Sequence, residues 1–340
     1  MSTFLKILHL SGGLRCEIHV TDDYFDVWPL ADTVSARIIF CNFTNMLNTL
    51  RSCHLVFVGI EESLILPHHR RPVLWQVSPY LAGEIDPFKM PASFWMGISA
   101  AARDEENALL DEISSSIAFS LTAMERHLLS LSNEYNRELK AALERGTKPT
   151  DRFASMETYD LWLAIHAFLL AAGSARDYLA QALAEFVFMK QIEKTGRKKP
   201  DSMSQLIKNG KKYGYLDSHS VGIQILKASD QLDGTAWLAN LSEFRNVITH
   251  RAPITQFARG NFLELIHSGV LSVHNVLQVA LPLPSQPRSQ STSPLVDALM
   301  LMKFYNQKIA ELAFDVGKLM PYSPKVPSLI EEDITSINTI

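Results

Sequence analysis

The chain has 340 residues, of which 47% are hydrophobic and 20% are charged. This composition supplies enough apolar side chains for a folded core and carries too little charge for a disordered chain, and the length fits about two domains. The formal net charge is −4 at pH 7, so overall basicity gives no reason to expect nucleic-acid binding. No apolar run approaches the ~20 residues of a membrane span, and the first residues lack the apolar region of a signal peptide. We therefore expect a cytoplasmic protein without a membrane span.

We predict an N-terminal α+β or β-rich module over residues 1–95. Short runs with alternating or β-branched residues, RCEIHV, ARIIF and CHLVFVGI, are separated by clusters of Gly, Asp and Pro, which is typical of strands joined by turns. The segment EIDPFKMPASF contains two prolines and predicts a boundary loop. The sequence assigns no role to this module.

A mainly α-helical domain is predicted over residues 96–281. Apolar residues recur at steps of three and four within 100–145, which predicts one amphipathic helix or two joined helices. These apolar residues are Leu109, Ile113, Ile117, Leu121, Met124, Leu128 and Leu131. A denser apolar stretch predicts a second long helix over about Met156–Glu193.

Shorter helices are expected to follow this pair. We predict them from Ser202, over about Ser218–Ser229, from about Ala236 and over about Phe262–Val279. Residues 282–294, PLPSQPRSQSTSP, read as a Pro/Ser linker. Residues 295–340 are expected to hold a last helix that packs on the bundle, followed by a tail.

The segment LSEFRNVITHRAP, residues 241–253, holds the most informative polar residues. Asn246 and His250 are four residues apart on the predicted helix and therefore stack on one side of it, and Arg245 lies one step round from Asn246. The apolar residues of the same helix form a separate stripe that faces the core. They are Trp237, Leu241, Phe244 and Ile248.

The Arg-Asn-x3-His triplet is expected by chance less often than an Arg and a His at the same spacing. Composition predicts an Arg five residues before a His about 0.5 times in a chain of this kind, and requiring Asn directly after that Arg lowers the expectation to roughly 0.02 times. The plain alternative is that His250 interacts with the last helix carbonyls and that Arg245 is a surface ion-pair partner.

These residues resemble the HEPN superfamily of all-helical domains, many of which are ribonucleases with an Arg-x4–6-His motif and a polar residue after the Arg. Arg245, Asn246 and His250 match that motif, and the resemblance covers about residues 100–280. It implies a HEPN-like helical bundle and a homodimer with both sites close to the dimer axis. It also implies a toxin or phage-defence effector, with a possible neutralising or regulatory protein partner.

The same residues suit RNA cleavage on chemical grounds. Attack by the 2′-OH of RNA needs a proton acceptor, and histidine has an ordinary pKa of about 6.5. Arginine supplies a permanently charged planar donor for phosphate oxygens. We therefore predict a metal-independent endoribonuclease with Arg245, Asn246 and His250 as catalytic residues and with no metal or cofactor. The alternative is a non-catalytic HEPN-like module that binds RNA or protein.

One segment is strongly basic. Between Lys190 and Lys212 there are eight Lys or Arg and two acidic residues. Such a segment is either a solvated loop or a surface for a phosphate backbone. The candidate RNA-binding residues in it are Arg197, Lys198, Lys199, Lys211 and Lys212.

Two further predictions concern buried polar groups. Arg176 and Asp177 lie inside an apolar helix and are expected either to form a buried ion pair or to support Arg245 or His250.

The cysteines lack metal-ligand or disulfide spacing, so we expect buried free thiols. They are Cys16, Cys41 and Cys53.

Overall fold

The structure of the protein is a computed structural model that describes residues 4–19, 24–39, 42–64, 73–77, 90–230, 236–250, 262–282 and 295–326. Most of the described residues are helical, and an antiparallel sheet lies at the N-terminus. This confirms the prediction of a mainly α protein with a smaller N-terminal β-rich part. Within the described residues, no helix combines the length and the hydropathy needed to cross a membrane.

The chain divides into two compact units, each made of segments that are distant in sequence. The first unit comprises Met1–Gly83, Ala123–Ala172 and Ala239–Gln307. The second comprises Glu84–Thr122, Gly173–Leu238 and Lys308–Ile340.

The N-terminal sheet belongs to the first unit and has six antiparallel strands in the order β4-β3-β2-β1-β5-β6. The strands are β1 (Phe4–Leu10), β2 (Arg15–His19), β3 (Tyr24–Trp28), β4 (Ala36–Ile39), β5 (Phe57–Leu64) and β6 (Val73–Gln76). Alternate residues are buried, as in Phe25 and Val27 on β3, because successive side chains point to opposite faces of a strand. Helix α1 (Phe43–Ser52) connects β4 to β5 and is capped by Asn42, whose side chain accepts from the Asn45 N–H at 2.9 Å.

The remaining helices agree with most of the predicted positions. They are α2 (Pro91–Asp104), α3 (Ala108–Glu144), α4 (Thr158–Ala182), α5 (Met189–Lys194), α6 (Met203–Tyr213), α7 (Ser220–Ser229), α8 (Trp237–His250) and α9 (Ala298–Gly317). The predicted helix over Met156–Glu193 is interrupted: a π-helical turn, Leu183–Val187, separates α4 from α5, and the Phe188 N–H donates to the Leu183 carbonyl at 2.8 Å.

Helix α3 confirms the predicted apolar stripe with one correction. Residues at steps of three and four are buried from Ile113 to Leu131. Leu109, which was expected on the stripe, is 47% exposed, and Leu110 is fully buried in its place. Leu110 continues the seven-residue steps of Ile117 and Met124, so the first turn of α3 follows the same face as the rest of the helix.

The predicted helix over Phe262–Val279 is wrong, because this segment forms a β-hairpin. Its valines recur every three residues, which imitates helical spacing, but β-branched side chains favour strands. The hairpin contains a bulge at His267/Gly269, and its turn holds Ser272 in the left-handed region with φ of 58°. The strands of this second sheet are β7 (Arg152–Phe153), β8 (Leu263–Leu271) and β9 (His274–Ala280).

Three other predictions lie partly outside the described residues. Cys16 and Cys53 are buried free thiols, as predicted, whereas Cys41 lies outside the described residues. The predicted linker lies outside them from residue 283 to 294, and so does the tail from residue 327 onward.

The turn between β1 and β2, Ser11–Gly13, is completely buried. Gly12 and Gly13 have φ values of 65° and 96°, in the left-handed region that favours glycine. A Cβ on Gly13 would lie 2.5 Å from the carbonyl oxygen of Tyr135, and a Cβ on Gly12 would lie 2.3 Å from the Cβ of Gln278. Both positions therefore require glycine for backbone conformation and for space.

The polar groups of this turn are bonded to distant parts of the first unit. The Asn136 side-chain amide donates to the Gly13 carbonyl at 2.8 Å, and the Ser11 N–H donates to the Val56 carbonyl at 2.8 Å. A buried turn needs such partners, because an unpaired buried backbone group costs free energy comparable to a lost hydrogen bond. The turn thus attaches the first sheet to α3, and its Gly12 N–H lies near the carboxylate of Asp297 at the start of α9.

Asp297 also caps α9. Its Oδ1 accepts from the N–H groups of Leu299 at 2.9 Å and Met300 at 3.2 Å, as an N-cap carboxylate does. Asp297 is 8% exposed, and burial raises the pKa of its carboxyl group to about 7. The folded state therefore binds a proton at a pH where the unfolded chain has released it.

We predict that Asp297→Asn makes the protein less sensitive to pH. Because the pKa is higher in the folded state, wild-type stability falls as pH rises from about 4 to about 7 through this group. Asparagine retains the capping oxygen and does not ionise. The free energy of unfolding of the variant, relative to wild type, should rise by roughly 1–4 kcal/mol over that interval. Urea unfolding at several pH values measures this difference, and a constant difference from pH 4.5 to pH 8 would contradict it.

Candidate active site

Helix α8, Trp237–His250, carries the predicted catalytic residues. Its predicted apolar stripe is buried, since Trp237, Leu241, Phe244 and Ile248 are at most 9% exposed. Leu238 and Val247 are buried as well and widen this face beyond the predicted stripe. One face of α8 is therefore buried along the whole helix, and this burial fixes the directions of its polar residues.

Phe244 holds the middle of α8 in the first unit. Its side chain is fully buried, and its ring contacts Tyr305 of α9 in a T-shaped arrangement with centroids 6.3 Å apart. Such aromatic pairs contribute about 0.5–1.5 kcal/mol beyond the buried area. Phe244 directly precedes Arg245, so this contact also fixes the backbone that carries the predicted site.

Arg245 and Asn246 are both half-buried. A helix turns by about 100° per residue, which places Arg245 at the edge of the apolar face and Asn246 on the opposite side. The Thr249 hydroxyl donates to the Arg245 carbonyl at 2.7 Å. Arg245 and Asn246 are therefore held on a rigid element with part of each residue accessible.

His250 is the last residue of α8, and its side chain lies outside the described part of the structure. The backbone alone sets its separation from the other two residues: about 7.5 Å along the helix axis from Arg245 and about 6 Å from Asn246. The approach of the His250 imidazole to Arg245 stays a prediction.

The predicted RNA-binding residues lie in the second unit and do not form one uniform group. Arg197 and Lys198 are exposed in the connector after α5, and Lys212 is exposed in the last turn of α6. Lys199 instead forms an ion pair with Glu185 of the π-helical turn, and Lys211 forms one with Asp230. Acidic partners thus compensate two of the five candidate cations.

The buried ion-pair reading of Arg176 and Asp177 is confirmed. Arg176 is 2% exposed and its Nη2 lies 2.7 Å from the Asp177 Oδ1. The same oxygen accepts from the Met203 N–H at 3.1 Å. The pair therefore also anchors the start of α6.

A buried polar cluster in the first unit was not predicted. His9 Nδ1 lies 3.1 Å from the Ser132 hydroxyl, and His9 Nε2 lies 3.3 Å from Glu61 Oε2. Burial lowers the pKa of His9 to about 4, so its imidazole is neutral near pH 7. Arg15 adds a hydrogen bond to the Ser132 carbonyl at 2.7 Å. The order Glu–His–Ser resembles a hydrolase triad, but Ser132 is fully buried inside α3, so we assign the cluster to packing of α3 on the sheet.

A half-buried acid and amine were missed as well. Glu125 on α3 and Lys303 on α9 are half-buried, and burial raises the pKa of Glu125 to about 7 and lowers that of Lys303 to about 8. Lys303 donates to the Val77 carbonyl at 2.5 Å, which ties α9 to the residue after β6. Local sequence spacing does not predict the burial of either group, because α3 and α9 are far apart in the sequence.

Comparison with family models, with curated proteins and with solved structures finds no match to this chain. The HEPN resemblance therefore stays a prediction that depends on Arg245, Asn246 and His250 and on the helices around them. Among the described residues, no cluster of three or more His, Cys, Asp or Glu side chains is arranged to hold a metal ion.

We predict that Phe244→Ala destabilises the protein by about 3–5 kcal/mol, because it removes a fully buried ring. Asn246→Ala is the matched control two residues away on the polar side, and it should change stability by less than about 0.5 kcal/mol. The midpoint of urea unfolding measures both. Equal losses in the two variants would mean that α8 presents a different face to the core.

Proposed function

We propose that the protein is a metal-independent endoribonuclease whose active site is the polar side of α8. The observation that carries the proposal is that Arg245 and Asn246 are half-buried on a helix whose apolar face is buried in the core. A rigid helix holds catalytic groups more precisely than a loop does. His250 ends the same helix.

Each residue has a distinct role in the proposed reaction. His250 accepts the proton of a ribose 2′-OH as that oxygen attacks the adjacent phosphorus. Arg245 binds the non-bridging phosphate oxygens as negative charge develops on them. Asn246, one turn before His250, orients the imidazole or contacts the phosphate. The bond from phosphorus to the 5′ oxygen breaks, and that oxygen takes a proton from solvent.

The biological part of the proposal comes from the HEPN resemblance. The protein would act as a toxin or phage-defence effector, as a homodimer, with a neutralising or regulatory protein partner. A non-catalytic RNA-binding module is the second candidate, and the exposed Arg197, Lys198 and Lys212 favour it. RNA binding without cleavage by the intact chain would select this second candidate.

We predict that His250→Ala lowers RNA cleavage by about 10²–10⁴-fold, the usual contribution of a general acid–base group. Cleavage by the wild-type chain should persist in excess EDTA. The products should carry a 2′,3′-cyclic phosphate and a 5′-hydroxyl, because 2′-OH attack leaves those ends. Gel analysis of an end-labelled RNA, with enzymatic tests of the new ends, measures all three.

His267→Ala is the matched control, because His267 is an exposed histidine of the same unit on β8, and it should retain full activity. Arg245→Lys should lose most activity while keeping its charge, since lysine lacks the planar fork of arginine. Thermal unfolding shows whether each variant is folded. A 5′-phosphate product, or undiminished cleavage by folded His250→Ala, would contradict the proposed site.

A further inference from the structure

An exposed tyrosine lies between two cations at the end of α6. Arg197 Nε donates to the Tyr213 hydroxyl oxygen at 3.2 Å, and Lys212 Nζ lies 5.4 Å from the centroid of the Tyr213 ring. Arg197 lowers the pKa of Tyr213. The tyrosine remains 37% exposed, so its hydroxyl is held by Arg197 while part of the ring stays accessible.

Arg197 reaches Tyr213 because the connector between α5 and α6 is tied down. Within that connector Lys199 is paired with Glu185, and Pro200 is buried. The side-chain amide of Gln181 donates to the carbonyl of Asp201 at 3.2 Å. Arg197 is therefore fixed beside a residue sixteen positions further along the chain.

The cations of α6 share one side of the helix. Met203, Leu206 and Gly210 are buried, whereas Lys208 and Lys212 are exposed and four residues apart. Residues at this spacing are neighbours on a helix surface. Lysines in a last turn also favour the helix dipole, but that effect requires neither Arg197 nor an exposed aromatic ring.

We propose that Tyr213, Arg197 and Lys212 form a contact site for single-stranded RNA. The tyrosine ring stacks on one unpaired base, and the two cations contact neighbouring phosphates. Aromatic rings within a basic groove are the usual means of binding single strands, because every base has a face for stacking. A duplex keeps its bases stacked inside and offers the ring no such partner. The choice of RNA rests on the proposed function.

The observations favour nucleic acid over an acidic protein partner. Cations alone would attract either ligand. The exposed ring, fixed by Arg197 at its hydroxyl edge, adds a stacking surface that suits a planar base. Acidic peptides carry carboxylates without such planar bases, so a ring held beside two cations gives them no matching contact.

The test measures binding separately from cleavage. The full chain with His250→Ala is titrated against a fluorescent oligouridylate of about 20 nucleotides, long enough for a site of the usual ~4–16 nucleotides. Tyr213→Ala should weaken binding by roughly 5- to 150-fold, the range expected for loss of one stacked base. Tyr213→Phe keeps the ring and should retain most of the affinity. The plot of log affinity against log salt has a negative slope, and Arg197→Ala and Lys212→Ala should each make that slope shallower by about 0.7.

Lys318→Ala is the control for charge, because Lys318 is an exposed lysine elsewhere in the second unit, paired with Asp315. It should leave the affinity for the labelled strand close to that of the parent protein. Unchanged affinity in folded Tyr213→Ala would overturn the proposal. So would competition by duplex RNA or by polyglutamate as effective as that by the single strand, since either would show a general anion surface.

Failure of this inference is distinguishable from failure of the proposed function. A wild-type chain that does not cleave RNA but loses binding with Tyr213→Ala removes the ribonuclease and supports the contact site. A chain that cleaves RNA with the predicted product ends, and whose Tyr213→Ala variant binds normally, keeps the ribonuclease and overturns the contact site.

Discussion

The buried turn Ser11–Gly13 is the constraint on which the first unit depends. Its two glycines allow α3 and β9 to approach within distances that no side chain would permit. Its backbone donates to the Val56 carbonyl and accepts from Asn136 of α3. Asp297, which lies near Gly12, caps the start of α9 and carries the cost of a buried ionisable side chain. The positions of the sheet, α3 and α9 therefore depend on one another.

The candidate active site contacts α9, the helix that begins near this turn. Asp297 caps α9, and Tyr305 on the same helix packs against Phe244 of α8. The next residue along α8 is Arg245. Core packing therefore fixes the backbone that carries Arg245, since well-packed interiors have low compressibility and transmit strain.

The sequence was sufficient to predict features that depend on local spacing. The stripe of α3 and the buried face of α8 follow from apolar residues at helical steps, and both are present. The hairpin of β8 and β9 was missed because its recurring valines imitate helical spacing, whereas the segment is fixed as strands by the pairing of β8 with β9 and with β7. Contacts between distant residues were beyond local patterns: His9 meets Ser132, and Arg197 meets Tyr213, only after the chain has folded.

The position of Asp297 near the buried turn also has a consequence for synthesis on the ribosome. Gly12 and Asp297 are separated by 285 positions, and translation at about 5–20 residues per second leaves roughly 15–60 s between their appearance. During that time the first strands can pair with one another, but their turn lacks the carboxylate that lies near Gly12 in the folded protein. The nascent N-terminal sheet therefore lacks this neighbour until nearly the whole chain has been made. Chaperones can bind the sheet during that interval, and chains truncated before residue 297 never acquire the carboxylate.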